Sequence, residues 1–198
     1  MMEYSSNYKK HTEYKGIRKI LINRFNKNLI KVIKEINPVS ILDAGCGEGF
    51  IIKLISDNIE GELKISGFDL SEQAVGLAGK ANKDADIKAA SIYNIPFEED
   101  SFDLVICSEV LEHLEKPEEA LKEINRVAKR NIILTVPHEP LFSLGNLVTL
   151  RHVKTFGNNP EHIQRWGIVR FRKLVRKYFD IKKSYAVLPW IIVEAEKN

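Results

Sequence analysis

The sequence predicts an α/β protein: a doubly wound, mostly parallel sheet of seven strands with a helix ahead of it and an antiparallel strand pair at its end. Three observations predict it. Short apolar runs alternate with stretches of helical periodicity over residues 39–137, a glycine-rich turn "DAGCGEG" joins the first apolar run to the first helix after it, and only Leu188-Pro189 separates the last two apolar runs. Strands alternating with helices require right-handed crossovers and a parallel sheet covered on both faces. A two-residue connection permits only an antiparallel pair.

In chain order, Ile17, Ile20, Leu21, Phe25, Leu29, Val32, Ile33 and Ile36 fall at the three-and-four spacing of a helix with one buried face, which Asn37-Pro38 ends. Strands are expected at 39–44, 63–69, 86–91, 102–108 and 131–137, with helices over about 49–58, 71–82 and 117–129. After the fifth strand the alternation stops for nearly thirty residues carrying Pro140, Gly145, Gly157 and Pro160. An irregular stretch of that length is expected to be functional, and 138–166 reads as a cap over the substrate. A helix over about 168–178 and strands at 181–187 and 190–196 complete the pattern.

At 198 residues with 44% hydrophobic content, the chain fits one domain, with 1–38 as its helical N-terminal segment. No run reaches the roughly 18 apolar residues of a spanning helix, and the polar opening "MMEYSSNYKKHTEYKG" lacks a signal-peptide core, so the expected location is the cytoplasm. Two cysteines, Cys46 and Cys107, are too few for a disulfide framework and lack zinc-knuckle spacing; both read as small buried hydrophobes. The net charge of +3 is uneven. Residues 1–38 hold nine Lys/Arg against three acids, 151–183 hold ten against two, and 39–150 hold ten against twenty. This polarity reads either as solvated helix faces or as steering of an anionic partner.

Gly45, Gly47 and Gly49 stand where a strand passes into a helix, and residues without Cβ there let a ligand touch the main chain. Their G-x-G-x-G spacing lacks the third glycine of the dinucleotide fingerprint. Asp69, ending "GFD" at the second strand, is placed to accept the hydroxyls of a ribose. A nucleoside ligand is the expectation.

"ILDAGCGEG", "FDLS" and "NIPFEEDSFDLVICSEVLEHL", in this order and spacing, resemble the class I S-adenosylmethionine-dependent methyltransferases, closely over 39–137. The resemblance implies a Rossmann-like fold, S-adenosylmethionine as cofactor and S-adenosylhomocysteine as product. It implies that the loop of Gly45, Cys46, Gly47 and Gly49 lies against the methionine moiety and ribose, with Asp43 organising it from beneath. Asp69 would hold the ribose diol, Leu70 would pack on adenine, and Ile92 would offer its backbone N–H to the ring. Ser91 stands where the family commonly has an aspartate, and its hydroxyl is a weaker acceptor for the adenine amine than a carboxylate. Glu109 and Val110 would face the methionine end.

Glu109, Glu112 and His113 have the i, i+3, i+4 spacing of one helical face. Methyltransferases of ubiquinone biosynthesis and of small-RNA 3′ ends carry a similar E-x-x-E-H that holds a divalent cation, and His162 would complete such a set with Mg²⁺, Mn²⁺ or Zn²⁺. Relatives without metal share "EVLEH", Glu109 is expected on the strand-end loop off that helical face, and the favoured reading has no metal. His138, His152 and His162 flank the acceptor entrance, and His162 is the chosen catalytic base. Trp166 is expected to pack the insert onto the domain, and Tyr8, His11 and Tyr14 either to fold over the cofactor or to remain disordered.

The insert "PLFSLGNLVTLRHVKTF" mixes apolar and basic residues, which suits a small or lipid-like acceptor and peripheral contact with a membrane. An RNA acceptor is the rival reading, for which no recognisable RNA-binding module is present. A module that binds S-adenosylmethionine or a partner without turnover is the third.

Overall fold

The computed structural model describes residues 16–143 and 162–198. Tyr8, His11, Tyr14, Gly145, His152, Gly157, Pro160 and most of the insert lie outside the described residues. Helix α1 (Ile17–Ile36) leads into β1 (Ser40–Ala44), α2 (Phe50–Asn58), β2 (Lys64–Asp69), α3 (Glu72–Ala81), β3 (Asp86–Ala89) and β4 (Phe102–Ser108). A single 3₁₀ turn (Leu111–His113), α4 (Pro117–Val127), β5 (Ala128–Pro137), α5 (Ile168–Val175), β6 (Phe179–Val187) and β7 (Trp190–Lys197) follow.

The seven strands form one sheet in the order β3-β2-β1-β4-β5-β7-β6. The first five are parallel, β7 is antiparallel to β5 with Pro137 opposite Trp190, and β6 is antiparallel to β7. The strand order reverses between β1 and β4, so the crevice beyond their carboxyl ends is where such a sheet binds ligands.

Side chains alternate across the sheet. Ile41, Leu104, Ile106 and Ile133 face one layer, where α1 buries Phe25, Leu29, Val32 and Ile33. Leu42, Val105, Ile132 and Leu134 face the other, against Leu121 and Ile124 of α4 and Phe171 and Val175 of α5. Each of these side chains contributes about 1.5–3 kcal/mol when fully buried.

Three boundaries differ from the sequence reading. Helix α4 stops at Val127 because Ala128 is already extended and paired with Phe102, although "AKR" continues the helical charge pattern. Lys129 instead reaches Asp103 at 3.0 Å. Helix α5 ends at Val175, after which Arg176 to Tyr178 form a turn into a strand that begins at Phe179. The third strand stops at Ala89, short of Ser91. Among the described residues no helix is long and apolar enough to cross a membrane.

Candidate functional site

The glycine loop is built by exclusion. Gly45, Gly47 and Gly49 all have positive φ (80°, 52° and 77°), a conformation that side chains disfavour. The backbone is pinned from below: Gly45 and Cys46 donate to the Phe68 carbonyl at 2.9 and 2.8 Å. A Cβ on Gly45 would fall 2.5 Å from Val110 Cγ2, and one on Gly49 would overlap the Asn82 amide. Around Gly47 a Cβ would meet nothing within 4 Å, so this glycine leaves open space above the loop. Gly45→Ala is therefore expected to cost about 1–3 kcal/mol through backbone strain and the Val110 clash, read by urea unfolding.

Two acids sit under and beside this loop. Asp69 Oδ2 accepts from the Gly47 N–H and Oδ1 from the Ser71 N–H, both at 2.9 Å, so it ties the loop to the end of β2. Asp43 is buried at 1% exposure, and its Oδ2 has no hydrogen-bond partner. Burial first, and the charge of Asp69 second, push its carboxyl up to about 7. Cys46 turns its side chain under the loop against Gly67, and burial, then Asp43 and Asp69, push its thiol up. Both Cys46 and Cys107 are free and buried, consistent with the expected role of small hydrophobes.

On the far side, Leu70 projects into solvent at 78% exposure while Ile92 is buried. Ser91 Oγ accepts from the Tyr93 N–H at 3.2 Å. The turn that carries them is clamped by Arg126, which donates to the Phe97 and Ile95 carbonyls at 2.7 and 2.9 Å and pairs with Glu123. Glu123 in turn accepts from the Ile95 N–H at 2.9 Å.

Glu109 follows β4 in a left-handed conformation, φ 58°. Its N–H donates to the Thr135 carbonyl at 3.1 Å, and its Oε2 accepts from Trp190 Nε1 at 2.8 Å. Trp190 is held by packing on Phe25 of α1, the rings tilted at 48° with centroids 5.1 Å apart. Trp190→Phe keeps this packing and removes the donor to Glu109; the expected loss is about 1.5–3 kcal/mol in chemical denaturation, the range for a hydrogen bond to a charged group.

Glu109 lies on the strand-end loop, off any helical face shared with Glu112 and His113. The left-handed Glu109 interrupts the chain and only one 3₁₀ turn follows before Pro117 opens α4. Glu112, His113 and His162 nevertheless converge, with ligand atoms within 4.8 Å of one another and the two rings edge to face at 5.0 Å. Phe142 lies on the other side of His162 at 5.5 Å. Glu112 is 1% exposed, both its carboxylate oxygens lack a hydrogen-bond partner, and burial, then Glu109, raise its carboxyl well above the usual range. The residues carrying His162 are strapped to the rim: Gln164 N donates to the Glu112 carbonyl and Glu139 N to the Trp166 carbonyl, at 2.9 and 2.8 Å. Trp166 packs into the core on Phe171, as its composition suggests, and His138 Nδ1 is buried without a partner.

Asn82 and Trp190 were absent from the sequence reading of the site. Asn82 Nδ2 donates to the Gly49 carbonyl at 3.2 Å and to the Ala78 carbonyl at 3.0 Å, closing the loop from α3.

Residues 42–136 match the family model described as a methyltransferase domain. Over 107 residues the chain is 29% identical to the demethylmenaquinone methyltransferase of Thermotoga maritima, covering 54% of this chain and 46% of that protein. The chain spans about half the length of the curated relatives it matches. The PH0226 protein of Pyrococcus horikoshii OT3 superposes with a TM-score of 0.75 at 18% identity, over 99% of this chain and 100% of that one. Magnesium protoporphyrin IX methyltransferase of Synechocystis, solved with S-adenosylhomocysteine bound, superposes with a TM-score of 0.69 at 19% identity, over 93% of this chain and 89% of that one.

Proposed function

We propose that the chain is a class I S-adenosylmethionine-dependent methyltransferase that acts on a small or lipid-like acceptor, a reading supported by the methyltransferase-domain match over residues 42–136 and the demethylmenaquinone methyltransferase relative. The observation that carries the methyltransferase reading is the open space over Gly47, whose N–H is held by the Asp69 carboxylate at the end of β2. When bound, the cofactor supplies an electrophilic methyl group on a sulfonium sulfur. The protein's own contribution is placement. Asp69 accepts from the ribose hydroxyls, Leu70 covers one face of the adenine, the Ile92 N–H and the Ser91 hydroxyl meet its edge, and Gly45 to Gly49 let the ligand reach the backbone. Asp43, Glu109 and Val110 set the methionine end. Holding acceptor, methyl and sulfur in line supplies roughly 7–11 kcal/mol of the barrier.

His162 is the proton acceptor in this reading, for acceptors whose hydroxyl or amine keeps its proton. The choice of a greasy acceptor is supported by relatives named for a demethylmenaquinone and a magnesium porphyrin. The test is transfer of labelled methyl from the cofactor into an organic-extractable lipid fraction, with RNA in parallel. Label in the lipid phase supports the reading, and label in RNA alone replaces it.

A second reading adds a divalent cation to the same site, and one observation favours it: the convergence of Glu112, His113 and His162. The donor set fits, since two imidazoles and a carboxylate suit Zn²⁺ or Mn²⁺ and the Glu112 oxygens await a partner. These three residues would hold the ion, which would polarise an acceptor oxygen. Glu109, turned to Trp190, stands outside the set. Titration with Co²⁺, followed by its visible absorption, separates the readings: a signal lost in Glu112→Gln supports the cation.

A further inference from the structure

We infer that the corner formed by the first turns of α1 and the β6–β7 turn docks on an anionic phospholipid surface. Ile17, Ile20, Arg24, Lys27, Lys31 and Lys34 follow the alternating three-and-four spacing of a single helical stripe, opposite the buried face. The stripe is apolar at one end and basic along the rest. Ile17 and Ile20 are 67% and 66% exposed, the four basic residues are exposed, and Glu35 is the one acid of the helix. Glu35 is already answered by Lys31 at 3.7 Å and Lys183 at 2.9 Å.

The direction of this stripe ties it to the site. Helix α1 runs into β1 through Asn37-Pro38, so its last turn lies at the amino ends of the parallel strands and its first turns at their carboxyl ends. Phe25 marks that level by packing on Trp190, which pairs with Pro137 at the end of β5. Ile20 and Ile17 extend beyond it toward the rim where the cofactor crevice opens, and Leu188 in the β6–β7 turn is 45% exposed on the same rim. Isolated exposed isoleucines are ordinary, but two on one stripe at the mouth of a site, with basic residues one and two turns behind, match the depth profile of an interface. Apolar groups enter the acyl boundary while Arg24 and Lys27 reach the phosphates.

A nucleic acid fits the same stripe less well. Phosphates would meet the basic residues, but the stripe carries no aromatic side chain on which a base stacks, and its isoleucines gain nothing from a polyanion. Docking in this orientation turns the crevice toward the bilayer. Its use for delivering a greasy acceptor rests on the proposed function; the docking itself does not.

The test is flotation of the full chain with vesicles of phosphatidylcholine alone or with roughly one third phosphatidylglycerol, at about 0.15 M salt. Binding at least about tenfold tighter to the anionic vesicles is expected. Ile17→Glu with Ile20→Glu is expected to lower it about tenfold, and Arg24→Glu with Lys27→Glu to erase the preference for the anionic lipid. Melting temperature and S-adenosylhomocysteine affinity, measured on the same variants, are expected to stay unchanged. Equal binding of the wild-type chain to both vesicles, flotation untouched by the isoleucine variant, or retention by an RNA oligonucleotide without flotation would each overturn the inference. Loss of flotation with S-adenosylhomocysteine binding intact removes the docking surface alone; loss of S-adenosylhomocysteine binding in the wild type strikes the proposed function instead.

Discussion

Asp69→Ala is expected to weaken cofactor binding by at least about tenfold, or ~1.4 kcal/mol, measured by equilibrium dialysis of labelled cofactor. Two losses combine. The carboxylate is the proposed acceptor for the ribose hydroxyls, a charge-assisted pair of bonds. It also anchors the Gly47 and Ser71 N–H groups, so its removal loosens the loop before any ligand arrives. Asp69→Asn keeps an oxygen for one of these N–H groups and is expected to fall between the wild type and alanine. Unchanged affinity in the alanine variant would remove Asp69 from the site.

The second expected result concerns Asp43. Its folded carboxyl is raised from 3.8 to about 7, so the folded protein binds the proton more tightly than the unfolded chain does. Stability is then fully present below about pH 4 as far as this group is concerned, and it falls as pH rises through about 7. Three pH units of difference correspond to a loss on the order of 4 kcal/mol, which accrues between about pH 4 and pH 7 and is complete above that. Asp43→Asn is expected to abolish that slope and to unfold at higher urea than the wild type at pH 8. Equal midpoints of the two proteins at pH 8 and at pH 5 would contradict the assignment. The same ionisation links to the ligand: a cofactor carrying positive charge near the loop is expected to bind more tightly at pH 8 than at pH 6, and the asparagine variant to lose this dependence.

What the sequence made legible follows from the range of each interaction. Strands and helices rest on apolar spacing within ten or twenty residues, and the core confirms that spacing: Ile41 and Leu42, adjacent in β1, enter opposite layers. The glycine loop was legible because bare backbone after a strand has few other uses. Asn82 and Trp190 were not, because each acts on a residue 33 or 81 positions away, and nothing local to either distinguishes it from a helix end or a strand start. The place of Glu109 on the strand-end loop, off the face of Glu112 and His113, was legible; its left-handed turn, held by the Thr135 carbonyl across the sheet, was not. Only the tertiary fold brings His162 to Glu112 and His113, across the long insert.

Whether the crevice beyond β1 and β4 binds S-adenosylmethionine is decided by calorimetric titration of the folded chain with S-adenosylhomocysteine, beside NAD. Micromolar binding of S-adenosylhomocysteine and none of NAD is expected, since the third glycine of the dinucleotide turn is absent. No heat with S-adenosylhomocysteine from a demonstrably folded protein, or equal binding of NAD, would contradict it.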